Sequence, residues 1–168
     1  MSFFFKSVER FIAGTVGVPG ERAFFIQARN GNRLTTVAVE KIQVAALAQR
    51  LEIIIRDLRR SNVALRVEKF TLDDEPLETP IEAEFDIGAI SMAWDETELT
   101  MTIELFEIVA EGEEPLNALK VGLTLSQCSA FVSRSKALVE AGRPPCPFCG
   151  ASIDPQGHLC PRANGYRR

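Results

Sequence analysis

The chain has 168 residues, 46% of them apolar and 25% charged, with a formal net charge of −4. That length suits one domain with a sizeable core and a small appendage, and the composition excludes a disordered chain. The charge is uneven: residues 143–168 carry Arg143, Arg162, Arg167 and Arg168 against Asp154, a tail of +3 on a body of −7, which is not the profile of a dedicated DNA-binding protein.

No run approaches the ~18 uninterrupted apolar residues of a membrane span. At the start, Met1 to Lys6 places three phenylalanines before a single lysine. A secretory signal has its positive charge first and a longer apolar stretch, so the expected location is the cytoplasm. Residues 12–22 (IAGTVGVPGER) read as a turn-rich opening with Gly14, Gly17, Pro19 and Gly20. Two strand-like runs follow, Ala23–Arg29 and Leu34–Val39, separated by Asn30-Gly31-Asn32, a strong hairpin signal. From Glu40 to about Arg60 the period changes. Ile42, Leu47, Leu51, Ile54, Ile55 and Leu58 recur at helical spacing, with Arg50, Arg56, Arg59 and Arg60 on the other side.

Residues 71–81 (TLDDEPLETPI), with two prolines and four acids, read as a loop. A long strand is expected from Glu82 to about Trp94. Ala83, Phe85 and Ile87 share one face before Gly88, and Ile90, Met92 and Trp94 take the apolar role after it. A one-residue phase switch at a glycine implies a bulge. Strands from Leu99 to Val109 and from Leu119 to Leu123 follow. A helix then runs from Ser126 to about Ala141, with Phe131, Val132, Leu138 and Val139 towards the core.

The chain also resembles itself. VAVEKIQVAALAQR (37–50) aligns with VGLTLSQCSAFVSR (121–134) at an offset of 84, with Val37/Val121, Gln43/Gln127, Ala46/Ala130 and Arg50/Arg134 identical. Each copy is a strand feeding a helix. The expected fold class is α+β: an antiparallel sheet with two helices on one face, from two related strand-strand-helix halves at about 23–60 and 99–141. Residues 1–142 form this body, and residues 143–168 a separate tail module. Convergence on a common strand-to-helix pattern is the competing explanation.

Three of the four cysteines lie in that tail, with spacing C-x2-C-x8-H-x-C. In a reducing compartment such a cluster points to metal rather than disulfides. Two residues between Cys146 and Cys149 let both sulfurs converge on one ion, and Gly150 permits the tight turn beyond. Asp154-Pro155-Gln156-Gly157 returns the chain so that His158 and Cys160 supply the other corners of a tetrahedron. Three thiolates and an imidazole close the shell of one structural zinc ion, lowering the tail charge to about +2. The segment holds Phe148, Ile153, Leu159, Tyr166 and little else that is apolar, too small a core to fold without metal. A redox C-x-x-C, an iron–sulfur centre and chance placement are the alternatives. The first expects a helix start that Pro144-Pro145 does not offer, and the second rarely takes one histidine.

Gly14, Gly17 and Gly20 precede a strand and lack a lysine, the reverse of a phosphate cradle. Glu82, Glu84 and Asp86 alternate on one strand face, with Glu104 or Glu107 near. Such a row can serve acid–base or magnesium chemistry, but a solvated face explains it. Cys128 reads as a small buried residue, since no second histidine exists to activate it. Arg162, Asn164, Tyr166, Arg167 and Arg168 combine an aromatic with cations that can stack on bases or dock on an acidic protein groove; a frayed terminus is the plainer explanation.

Two segments, FIAGTVGVPGERAFFIQAR and AGRPPCPFCGASIDPQGHLCPRANGYRR, together with the AWDE turn and the repeated helix starts, resemble an uncharacterised bacterial family. It is found mainly in actinobacteria and known as a domain of unknown function and a conserved "repeat protein". The resemblance implies a body plus a cysteine-containing ending, with Cys146, Cys149, His158 and Cys160 at the matching positions, and it adds no catalytic residues. The leading function is a non-enzymatic interaction protein whose zinc module meets a protein or RNA partner. The alternatives are an enzyme or small-molecule binder with a site between the two halves, using the acidic row or the Gly14–Gly20 loop and marked by a deep pocket lined by Glu84, Asp86 or Arg22, and a thiol or metal sensor using Cys146 and Cys149. The oligomeric state is left open.

Overall fold

Alternation of apolar residues builds a curled sheet in the computed structural model, which describes residues 2–18, 20–62, 65 and 70–141. The strands are β1 (Ser2–Phe5), β2 (Arg10–Val16), β3 (Ala23–Asn30), β4 (Arg33–Val39), β5 (Ala83–Asp95), β6 (Thr100–Glu107) and β7 (Ala118–Leu123). The helices are α1 (Lys41–Ser61), between β4 and β5, and α2 (Leu125–Glu140), after β7. One seven-stranded sheet has the order β1-β7-β6-β5-β4-β3-β2. The zinc module expected at 143–168 lies outside the described residues. No described helix is long and apolar enough to cross a membrane.

The fold is α+β, but the sheet is mixed rather than antiparallel. β1 runs parallel to β7, and β4 parallel to β5. The reason is connectivity: α1 and the long segment after it carry the chain from β4 to β5 as a crossover, which delivers a parallel neighbour. Four strands precede α1 and three more precede α2, rather than two each, because the opening read as turn-rich contains a strand, β2, Ser2–Phe5 forms another, and β5 joins the second half.

Chain length forces the sheet to curl. Strands ~4.8 Å apart would put β1 and β2 about 29 Å from each other across a flat sheet. The link through residues 6–9 spans at most about 18 Å from Phe5 to Arg10 at ~3.5 Å per residue. The two edges therefore approach. The Arg33 guanidinium at the start of β4 donates to the Phe4 carbonyl (2.8 Å) and lies 4.2 Å from the Phe5 ring centroid. Phe3 and Phe85, on β1 and β5, have centroids 6.3 Å apart. Gly122 of β7 lets the corner cross, since any Cβ there would meet the Lys6 carbonyl oxygen.

The β1–β2 corner and the bent strand β5 do the same job. β1 pairs in parallel with β7, and β2 antiparallel with β3. The start of β5 pairs in parallel with β4, and its remainder, from Ile90, antiparallel with β6. The register shifts between Ile87 and Ile90, at Gly88, where a Cβ would come 2.8 Å from the Ile108 Cα.

Both helices begin alike, at positions 84 apart. Gln43 and Gln127 occupy the third helical position, and each accepts through Oε1 from the backbone N–H of its N-cap residue, Glu40 (2.8 Å) or Thr124 (3.0 Å). Each then donates through Nε2 to a bend: Gln43 to the Ile87 carbonyl (2.9 Å), Gln127 to the Val8 carbonyl (2.7 Å). Glutamine suits the position because one amide both accepts and donates. Beneath them, the registered pairs Ile26–Val37 and Ile103–Val121 are fully buried. Ile42 departs from its expected place on the apolar face of α1. It is 76% exposed, and Val44 is buried instead.

Candidate functional site

The acidic loop before β5 is tied down along residues 71–78. Asp73 receives a bidentate pair from Arg10, Nε at 2.6 Å and Nη2 at 2.9 Å. Arg134 of α2 donates to the Asp73 and Glu75 carbonyls (2.8 and 2.6 Å) and, from Nε, to Ala13 of β2 (2.7 Å). Gln27, buried on β3, exchanges two hydrogen bonds with the Glu78 backbone. Between these ties Leu77 is buried over Gly14, whose missing Cβ leaves the space that the leucine fills. Hydrogen bonding to Arg10 holds the Asp73 carboxyl below its ordinary range and raises the Arg10 guanidinium. Burial lowers the Arg134 guanidinium. The ligands of this cluster are the protein's own groups, so its chemistry is that of a fastener.

Binding geometry appears instead where α1 and α2 cross. A groove of about 640 Å³ opens between them. Arg56, Arg59 and Arg60 stand at i, i+3 and i+4 on one wall. Ser129, Ser133 and Lys136 stand at i, i+4 and i+7 on the other, Ile55 and Val132 contribute apolar surface, and Phe70, 45% exposed, adds an aromatic face. Arg59 Nη2 donates to Ser129 Oγ across the cleft (3.2 Å). Lys136 pairs with Glu52 at 2.9 Å, and that hydrogen bond raises its ammonium group. The described lining sums to +3 on a body whose overall charge is negative.

A second groove of about 510 Å³ lies on the other side of the Glu52–Lys136 pair. Its residues are the first groove's counterparts at the 84-residue offset. Ala45, Ala48 and Gln49 stand where Ser129, Val132 and Ser133 stand, and Val139 and Glu140 stand where Ile55 and Arg56 stand. Its described lining sums to −1, and the counterparts of Arg59 and Arg60, Arg143 and Pro144, lie outside the described residues. One helix crossing thus makes two hollows from matching positions, and among the described residues one of them carries the arginines and hydroxyls.

The residues singled out from sequence fall as follows. Cys146, Cys149, His158 and Cys160, with Arg162, Asn164, Tyr166, Arg167 and Arg168, lie outside the described residues. Glu82, Glu84 and Asp86 are exposed. Glu104 registers with Lys120 on β7, and Glu107 accepts from Asn117 Nδ2 (2.8 Å). Among the described residues no group of three or more histidines, cysteines or carboxylates could hold a metal ion. Gly14 lies within β2, while Gly17 and Gly20 take positive φ between β2 and β3. Arg22 donates to the Leu138 carbonyl (3.1 Å). Cys128 is fully buried. The basic groove was missed because its arginines read as the solvated side of α1. The signal was the matching polar stripe Ser129, Ser133, Lys136 on α2.

No curated protein and no solved structure matches the chain. Over residues 3–160 it matches a family described as "Protein of unknown function (DUF3090)", and the chain belongs to that family.

Proposed function

We propose that residues 143–168 form a module around one structural zinc ion held by Cys146, Cys149, His158 and Cys160. On this reading the protein is a non-enzymatic interaction protein. The zinc module and Arg162, Asn164, Tyr166, Arg167 and Arg168 contact a protein partner or RNA, and the α+β body of two related halves carries the module. The observation that carries the proposal is the spacing C-x2-C-x8-H-x-C in a segment with too few apolar residues to fold alone. The family match, which runs through Cys160, supports it by taking in all four ligand positions. A closed shell of three thiolates and one imidazole leaves no open position for substrate, so the metal's role is to order the tail.

Elemental analysis of the purified full chain should find one zinc per chain. Cys146→Ser combined with Cys149→Ser should release it. Removing residues 143–168 should abolish partner capture from the native cell extract. A metal-free full chain, or capture unchanged by the removal, would reject the proposal.

A further inference from the structure

We propose that the basic groove between α1 and α2 binds a free mononucleotide, a phosphate ester carrying a flat ring. Its named residues all precede position 142 and include none of the proposed zinc ligands.

Three observations carry this. The first is the internal comparison between the two hollows. Both arise from one helix crossing and share the Glu52–Lys136 pair, so the packing of the fold accounts for both shapes equally. It does not account for the difference in lining. Glu140 in the one is Arg56 in the other, and Ala45 and Gln49 are Ser129 and Ser133. Among the described residues, Arg56 and the two hydroxyls are what the one hollow has and its twin lacks.

The second is the chemistry of that lining. Guanidinium groups on one wall face Ser133, the Ser129 hydroxyl that accepts from Arg59, and the Lys136 ammonium paired with Glu52 on the other, and guanidinium, ammonium and hydroxyl donors together recognise a phosphoryl group. Carboxylate would satisfy a single fork, whereas donors on opposing walls suit an anion with oxygens on several sides. Phe70 offers its half-exposed ring at the same groove, where a base can stack. A purely inorganic anion would leave that ring unused. The third is size and charge complementarity. A volume of about 640 Å³ holds one drug-sized ligand and is too small for a folded partner. The described lining, at +3, suits an anion.

The test is calorimetry on the full chain with ADP, inorganic phosphate, adenosine and a short RNA as separate probes. ADP should bind, with phosphate weaker and adenosine weakest. Arg56→Glu, an exposed position, should weaken ADP by about tenfold or more, the scale of one lost charge-assisted contact. Phe70→Ala should weaken ADP and leave inorganic phosphate unchanged. Glu140→Gln, in the twin hollow, should change nothing. Circular dichroism on each variant separates lost binding from lost fold. Absence of ADP binding at millimolar concentration overturns the proposal. So does ADP binding that is indifferent to Arg56→Glu, or RNA binding in this groove without mononucleotide binding.

Discussion

Replacing Asp73 by alanine tests whether the fastener over β2 holds the acidic loop in place. The carboxylate accepts two bonds from Arg10, whose side chain is 11% exposed, and lies 3.4 Å from Arg134, at 13%. Hydrogen bonds to charged groups contribute ~1.5–3 kcal/mol each, and removing one partner of a buried pair costs about 3–5 kcal/mol. Asp73 is itself 28% exposed, and both arginines keep the Glu75 carbonyl as acceptor, so solvent recovers part of the loss. The expected cost is about 2–3 kcal/mol, or roughly 5–10 °C in Tm for a chain of this size. Urea unfolding followed by circular dichroism should show a lower midpoint at unchanged slope. Asp73→Asn, which keeps the shape and one acceptor oxygen, should lose less. A change below ~0.5 kcal/mol would refute the reasoning. So would full additivity of Arg10→Ala with Asp73→Ala, because residues sharing a bond must couple.

Two further outcomes follow from the same region. Gly14→Ala should destabilise by ~1–3 kcal/mol through overpacking against Leu77, and adding Leu77→Ala should recover part of that; thermal melts of the two single variants and the double decide, and a Gly14→Ala chain as stable as its parent removes the close-approach argument. Because the Asp73 carboxyl is held below its ordinary range, its contribution is present above about pH 4 and disappears as pH falls through the lowered value. The stability gap between parent and Asp73→Ala should therefore be flat from neutral pH down to about 4 and shrink below it. A gap constant to pH 2.5 would contradict the assignment.

Features governed by neighbours in sequence were legible. Asn30-Gly31-Asn32 marks the β3–β4 turn because Gly31 takes φ +61°, and the phase switch at Gly88 reports a real register shift. The helical period found α1 from its buried residues, although Ile42 at its first turn faces solvent. What failed depends on distant partners. Gly14 looks like turn punctuation, yet it sits inside β2 because Leu77, sixty-three positions away, occupies the space a side chain would take. That β1 runs parallel to β7 is decided by which edges meet once the sheet curls, and no local pattern encodes that. The groove between the helices had a readable half on each helix. Only the crossing showed that Arg56, Arg59 and Arg60 stand opposite Ser129, Ser133 and Lys136.

The pairing of β1 with β7 has a consequence for how the chain is made. Ser2 cannot reach its partner Ala118 until most of the polypeptide has left the ribosome, while the β3–β4 hairpin can close early. During synthesis the first strand waits, apolar and unpaired, for the last one. A fragment ending after α1 would expose the edge of β4 that β5 normally covers. Such fragments should pair with one another, two copies reproducing in trans the closure that the intact chain makes within itself.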